Sequence, residues 1–573
     1  MTLGMAPLDL AILLAYFAVV TYIGVVVGRK RAKSLADFFI AGGQWGPFVS
    51  FIFVIASVMG GSAAVVVSGG AYRSGLSGVW YYWHPLFAVP IYFLFATIYK
   101  RSRVFNAAEF FEMRYGRGVA MLYAVLGMAA LMLDIGGAQL AVGKIIAGLT
   151  GLSVDQAVLA ASVVAALSIA SGGQMSTLLT DMFTGVLILT VYCFMILPYL
   201  WNSTGGFQAL SQLPPRVWSL ESLELTPAYI FALSFSASFG SIVSPALFSW
   251  IVVGKDERTA TQCAWAHLWK RTVTLLFALY GILFFLHTPG LKDAELAWGV
   301  VMQEIVPVGV KGLMVAAFFA ALMSSLDSMA STVSALSVDH ILRKRLFPGR
   351  SLRFYLTSAR VSAFLTVFVS YLLTRQFRTL VEFIEVVSSF SVLLCVPLYF
   401  GIVWRRANRR GMWAALSTGV SLLIVTRFWL RLPFPYTVFI PTLSCALVMY
   451  LVSRATRPES QNLLNRFYCV LHTPLGMDHQ LKAVGIRLPG MSGVSETEEL
   501  TAAETLDADA LETLYRDRAA LKVFGPESAI EIVREPGLGW YYRGFVTILL
   551  ACCFLLAAAW AVGPLMSWAS VAK

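Results

Sequence analysis

Runs of about 20 consecutive apolar residues recur through most of this chain, each long enough to cross roughly 30 Å of hydrocarbon at 1.5 Å per residue. In lipid a lone helix satisfies its own backbone hydrogen bonds, so the runs read as helices. They fall near Leu10–Val27, Pro47–Gly70, Gly75–Tyr99, Val119–Leu149, Ser153–Ser171, Ser176–Leu200, Thr226–Val253, Ala264–His287 and Val306–Ser337, with four more between Phe354 and Ser453 and a last at Gly544–Trp568. The expected fold is an all-α polytopic membrane protein with about 14 transmembrane helices. A chain of 573 residues would otherwise suggest several water-soluble domains, but 58% hydrophobic and 13% charged residues exclude a surface made for water. The first run is followed by Arg29, Lys30, Arg31 and Lys33 with no small-residue cleavage site, which marks an anchor rather than a removed signal peptide.

The net charge of +12 sits in short loops, at alternate helix ends. Lys100, Arg101 and Arg103, then Lys255 and Arg258, Arg343 to Arg345, Arg405 to Arg410, and Arg454 with Arg457 all fall on one side. By the positive-inside rule that side is cytoplasmic, which puts both termini outside an inner (plasma) membrane and removes the case for a nucleic-acid partner. The seven cysteines lack metal-type spacing and read as packing residues.

Several helices carry features that a plain anchor avoids. SVMGGSAAVVVSGGAY, Ser57 to Tyr72, has glycine pairs at Gly60-Gly61 and Gly69-Gly70. They mark either an unwound segment lining a cavity or close helix packing. Between Phe318 and His340 the polar cluster Ser324, Ser325, Asp327 and Ser328 lies within an apolar helix. A carboxylate there costs at least ~2.5 kcal/mol on insertion scales, so Asp327 faces a polar cavity or a partner, or caps a helix end in cytoplasmic water. Asp134 raises the same question. Trp80, Tyr81, Tyr82, Trp83 and His84 read as an interfacial aromatic belt in preference to a substrate gate. Lys270 and Arg271 read as cytoplasmic-end anchors in preference to vestibule residues. No nucleotide-binding loop, His-Glu-x-x-His helix or nucleophile elbow occurs, so no enzyme is expected. The intramembrane carboxylates and the charged segment leave two readings open, a membrane sensor signalling through the segment beyond Ala455 and a proton-coupled carrier using Asp134, Asp181 or Asp327.

AALMSSLDSMASTVSALSVD, Ala320 to Asp339, resembles the Ser-Ser-Leu helix of the sodium:solute symporters, a family with sodium-coupled sugar, proline and pantothenate carriers. SLADFFIAGG at Ser34 to Gly43, AEFFEMRYG at Ala108 to Gly116, SGGQMSTLLTD at Ser171 to Asp181 and GIVWRRANRRG at Gly401 to Gly411 follow in the family's order. The resemblance covers about Leu8 to Arg454 and implies a leucine-transporter-type core of two inverted five-helix repeats. The implied organisation is an N-terminal helix and first cytoplasmic loop (1–44), a transport core (45–410), two peripheral helices (411–454), a charged cytoplasmic insert (455–540) and a C-terminal transmembrane helix (541–573).

For function the resemblance implies alternating-access symport, with sodium as the co-transported ion and no organic cofactor. Carried onto this chain, the sodium ligands are the carbonyls of Ala56, Met59 and Ala321 and the hydroxyls of Ser324 and Ser325, five neutral oxygens suited to a hard cation. Asp181, Ser324, Asp327 and Ser328 form the candidate second cation site. Gly60, Gly61, Ser62, Tyr82 and Glu385 are the solute candidates. Ile384 stands where sugar carriers of the family have Gln, so a sugar loses ground, and Gln174 stands where the family usually has an apolar residue; Gly60, Gly61 and Ser62 beside unwound backbone suit a small solute such as an amino acid or monocarboxylate, whose carboxylate meets exposed N–H groups at a helix start.

Overall fold

The computed structural model describes residues 5–571 other than 24, 25, 27–29, 31–33, 170–172, 378, 492, 495–499 and 520–538. Arg29, Arg31, Lys33, Ser171, part of the acidic stretch and the end of the charged insert lie outside the described residues. In chain order the principal helices are α1 (Pro7–Thr21), α2 (Pro47–Val58), α3 (Gly61–Ser74), α4 (Val89–Arg101), α5 (Arg117–Thr150), α6 (Val154–Ile169), α7 (Gly173–Thr190), α8 (Pro227–Gly240) and α9 (Pro245–Val252). They continue with α10 (Gln262–His287), α11 (Val310–Leu336), α12 (Leu352–Thr374), α13 (Leu380–Val403), α14 (Arg409–Ile424), α15 (Phe434–Ala455), α16 (Gln461–His472), α17 (Ala508–Ala519) and α18 (Gly539–Val571).

Every apolar run has a helix over its described residues. Among these residues eight helices are long and apolar enough to cross a membrane, and two bent pairs raise the number to 10, so the expected 14 is an approximate count. The bent pairs organise the core. α2 meets the helical stretch that α3 begins at 52°, and α8 meets α9 at 57°. Each bend opens a set of five: α2/α3, α4, α5, α6 and α7, then α8/α9, α10, α11, α12 and α13. That is the 5+5 arrangement of the leucine-transporter type. Proline at the start of α2, α8 and α9 costs no hydrogen bond, because a helix's first N–H groups have no partner within it.

The two bends are tied together at one end. The Trp45 N–H donates to the Val253 carbonyl (3.3 Å) and the Lys255 N–H to the Trp45 carbonyl (3.0 Å). Lys100 Nζ donates to the Val252 carbonyl at 2.9 Å. The N-terminal helix is tied too: Asp9 Oδ1 accepts from the N–H groups of Gly309 (2.7 Å) and Gly312 (2.8 Å), so a carboxylate from α1 satisfies orphan donors at the start of α11.

A buried ion pair joins three elements at Glu295. Lys144 Nζ of α5 lies 2.5 Å from Glu295 Oε2 and 2.9 Å from Asp293 Oδ2, and the Leu380 N–H at the start of α13 donates to Glu295 Oε1 at 3.1 Å. Burial holds the Glu295 carboxyl above its ordinary range, against the pull of Lys144. Lys144→Met leaves that carboxylate unpaired, so a loss of about 3–5 kcal/mol is expected. A carboxyl with a raised folded pKa is more protonated folded than unfolded, and its effect on stability worsens as pH rises through the ordinary carboxylate range. The melting deficit of Lys144→Met is therefore larger at pH 8 than at pH 5, and Glu295→Gln added to it recovers part of the loss. An equal deficit at both pH values refutes this assignment.

The chain beyond Ala455 is not a detached insert. Phe467, Tyr468, Cys469 and Val470 of α16 are fully buried, and the Arg103 guanidinium reaches the carbonyls of Thr473 (3.0 Å) and Pro474 (2.7 Å) and the Asp478 carboxylate (2.8 Å). Arg405 stacks on the rings of Tyr468 and Tyr515. This segment is amphipathic, so its charged composition concealed an apolar face that covers the loop ends of the core.

Candidate functional site

The break between α2 and α3 comes from two residues. Met59 leaves the helical region at ψ 33° and Gly60 is extended at ψ 153°. The Met59 N–H still bonds the Ile55 carbonyl (2.9 Å), whereas a helix end leaves the next carbonyls, Ala56 to Met59, without their usual partners. Glycine at 60 answers to close approach, since a Cβ there would lie 2.7 Å from Ser325 Oγ. That hydroxyl, from α11, donates to the Ser57 carbonyl at 2.9 Å. Ser324 Oγ is buried with no hydrogen-bond partner of good geometry and stands beside the Asp181 carboxylate. Ala56, Met59 and Ala321 are all fully buried around this junction.

Asp181 of α7 accepts from Ser57 Oγ at 3.0 Å through Oδ2, and its Oδ1 has no partner. Asp327 Oδ1 is likewise buried and unpartnered, and the Asp181 charge and the Tyr16 hydroxyl of α1 are within electrostatic reach of it. Asp327 thus faces the interior, not water at a helix end. Ser328 separates from this group. Its oxygen accepts from Trp250 Nε1 (2.7 Å) and Gln174 Nε2 (3.2 Å), which uses both lone pairs and leaves none for a cation. Gln174, the departure from the family pattern, is therefore spent on fixing Ser328.

A cavity of about 230 Å³ adjoins the break and is lined by Gly60, Ser62, Tyr82, Asp134, Lys270 and Arg271 among others. Ser57 and Ser325 share its wall. Ser62 Oγ and the Tyr82 hydroxyl are 2.6 Å apart, and Gly61 begins the helix between break and Ser62. Three expectations change here. Tyr82 and His84 line the cavity and Trp83 is fully buried, its Nε1 donating to the Arg271 carbonyl at 2.7 Å, so the aromatic cluster is not an interfacial belt. Lys270 and Arg271 are buried cavity residues, not snorkelling anchors. Glu385 is not a lining residue: it pairs with Arg427 Nη1 at 2.7 Å and accepts from the Tyr229 hydroxyl at 2.9 Å, while Ile384 before it faces the cavity. His267, unnoticed in the sequence, also lines the space, with both ring nitrogens unpartnered.

Comparison with known proteins agrees with this fold. Residues 38–419 match the sodium:solute symporter family. The chain is 24% identical over 487 residues to a sodium/myo-inositol cotransporter 2 of Sus scrofa, covering 73% of this chain and 69% of that one. It is 20% identical over 476 residues to a sodium/glucose cotransporter of Vibrio parahaemolyticus, covering 75% and 87%. In fold it is similar to a sodium-coupled sialic acid symporter in a substrate-bound outward-open state, with a TM-score of 0.67, 16% identity, and coverage of 80% and 99%.

Proposed function

Because the chain belongs to the sodium:solute symporter family, whose members are sodium-coupled membrane transporters and not enzymes, we propose that it imports a small organic solute with sodium by alternating access. The observation that carries this reading is the shared wall. Ser325 bonds the broken helix at the Ser57 carbonyl, and Ser57, Gly60 and Ser325 all line the cavity. A sodium ion held by the carbonyls of Ala56, Met59 and Ala321 and the hydroxyls of Ser324 and Ser325 would fix the bend and hence the wall that meets the solute. Ion and solute then favour the same closed arrangement, which is the condition for coupling.

The energetics suffice. One sodium crossing about 100 mV releases about 2.3 kcal/mol and a tenfold gradient adds about 1.4; together they concentrate a neutral solute several hundredfold. The similar cotransporters are named for myo-inositol and glucose; in this chain Ile384, at the position where the family's sugar carriers have Gln, lines the cavity. A plasma-membrane location with both termini outside belongs to the same proposal, as does the division into core, peripheral helices and C-terminal helix.

Asp181, Ser324 and Asp327 are assigned to a second cation, with Ser328 withdrawn from the set. Two carboxylates bind sodium more tightly than neutral oxygens, or share one proton. Reversal potentials in proteoliposomes decide between them. A sodium-to-solute ratio near two in the wild type, falling towards one in Asp327→Ala, supports the second sodium. Uptake that follows an imposed proton gradient and ignores sodium overturns the sodium-coupled reading itself.

A further inference from the structure

From the buried, unpartnered guanidinium of Arg271 in the cavity wall, we infer that the solute carries a carboxylate and that Arg271 receives it. The inference rests on reading the cavity as the solute site. Arg271 is 2% exposed, and its Nε and Nη1 have no hydrogen-bond partner. Its charge has no carboxylate within ion-pair distance among the described residues, and neither has that of Lys270, whose Nζ lies 4.6 Å from the centre of the Tyr82 ring. Asp134 is the one acidic side chain in the cavity wall, and its field falls on Lys270. Two cations in the wall thus face a single carboxylate, and neither is in contact with it.

A buried guanidinium without a counter-ion is strongly unfavourable, and ordinary proteins pair it. Here the missing charge has room to arrive from outside, since the cavity of about 230 Å³ suits a molecule below drug size. Guanidinium and carboxylate are matched in plane and in hydrogen-bond direction, which a polyol hydroxyl matches only in part and without cancelling the charge. The two free ring nitrogens of His267, in the same wall, add polar contacts for the rest of the solute. Rigid support is in place: the Trp83 indole holds the Arg271 backbone carbonyl and the Thr274 hydroxyl, so α10 presents the side chain from a fixed stretch. Neither Lys270 nor Arg271 belongs to the broken helix or to α11, so the anion contact is separate from the sodium ligands.

The test uses the purified full-length chain and its melting temperature, in sodium chloride and in potassium chloride. The probes are acetate, lactate and pyruvate, alanine as a carboxylate with an ammonium group, acetamide and lactamide as the uncharged partners of acetate and lactate, and myo-inositol and glucose. A carboxylate is expected to raise the melting temperature by about 2 °C or more in sodium, with no shift from its amide. Arg271→Gln removes that shift and keeps the shift produced by sodium alone; Arg271→Lys retains part of it. A response to alanine only assigns an amino acid, and a response to lactate or pyruvate assigns a monocarboxylate. Stabilisation by myo-inositol or glucose alone, or by no carboxylate in a protein that responds to sodium, overturns the inference and leaves symport standing. A carboxylate shift of equal size in both salts overturns sodium coupling and leaves the anion site standing.

Discussion

Replacing Ser324 and Ser325 together by alanine is expected to raise the sodium concentration for half-maximal uptake by about a hundredfold, taking each lost ligand as about 1.4 kcal/mol. The two hydroxyls differ in their surroundings. Ser325 Oγ donates to the Ser57 carbonyl and keeps lone pairs for an ion, and Ser324 Oγ is buried without a partner beside Asp181. Neither contact is a packing contact of the size that decides folding, so the double variant should purify as a well-behaved protein. Gly60→Ala approaches the same site from the other side: its Cβ would lie 2.7 Å from Ser325 Oγ and must displace it. The expected outcome is a matching loss of sodium affinity. Sodium dependence unchanged in the double variant removes the residue assignment, whichever solute is transported.

Much of this site was legible because lipid narrows the options. Glycine pairs in an apolar helix and a carboxylate in a crossing are costly unless they do something, so Gly60, Asp181 and Asp327 were visible as exceptions. What the sequence does not carry is depth and facing. Lys270 and Arg271 looked like helix-end anchors, yet Arg271 is nine residues from the start of α10 at Gln262, about 13 Å along the axis and beyond the reach of a snorkelling side chain. Counting rise would have found it. Ser328 shares a helix face with Ser324, but tertiary partners from α7 and α9 decided what its oxygen does. Glu385 and Ile384 are neighbours, and only the packing of Arg427 and Tyr229 shows that the charged one turns away from the cavity. The glycine at 490 was equally silent in the sequence: a Cβ there would sit 2.6 Å from the Arg103 carbonyl.

Excising residues 458–519 is expected to abolish a monodisperse folded protein. Arg103 shows why. It sits at φ 56°, a strained region for a residue with a side chain. It is held there by partners from the segment: its guanidinium by Thr473, Pro474 and Asp478, and its carbonyl by the Gly490 N–H at 2.8 Å. The Leu475 N–H donates to Glu257 Oε1 at 3.0 Å, and Glu257 is also paired with Arg101 at 2.9 Å. Removing the segment strips three core groups of partners and exposes the surface that Phe467 and Tyr468 cover. Burial pulls the Arg103 guanidinium below its ordinary value even with Asp478 beside it. Arg103→Ala, a smaller change, leaves Asp478 and the two carbonyls unanswered, with an expected loss of about 3 kcal/mol. Fluorescence-detected size exclusion measures the first variant and a melting curve the second. A symmetric peak and unaltered sodium-driven uptake after excision of 458–519 would show that the segment only rests against the core, and the strain at Arg103 would then have to be held by the core alone.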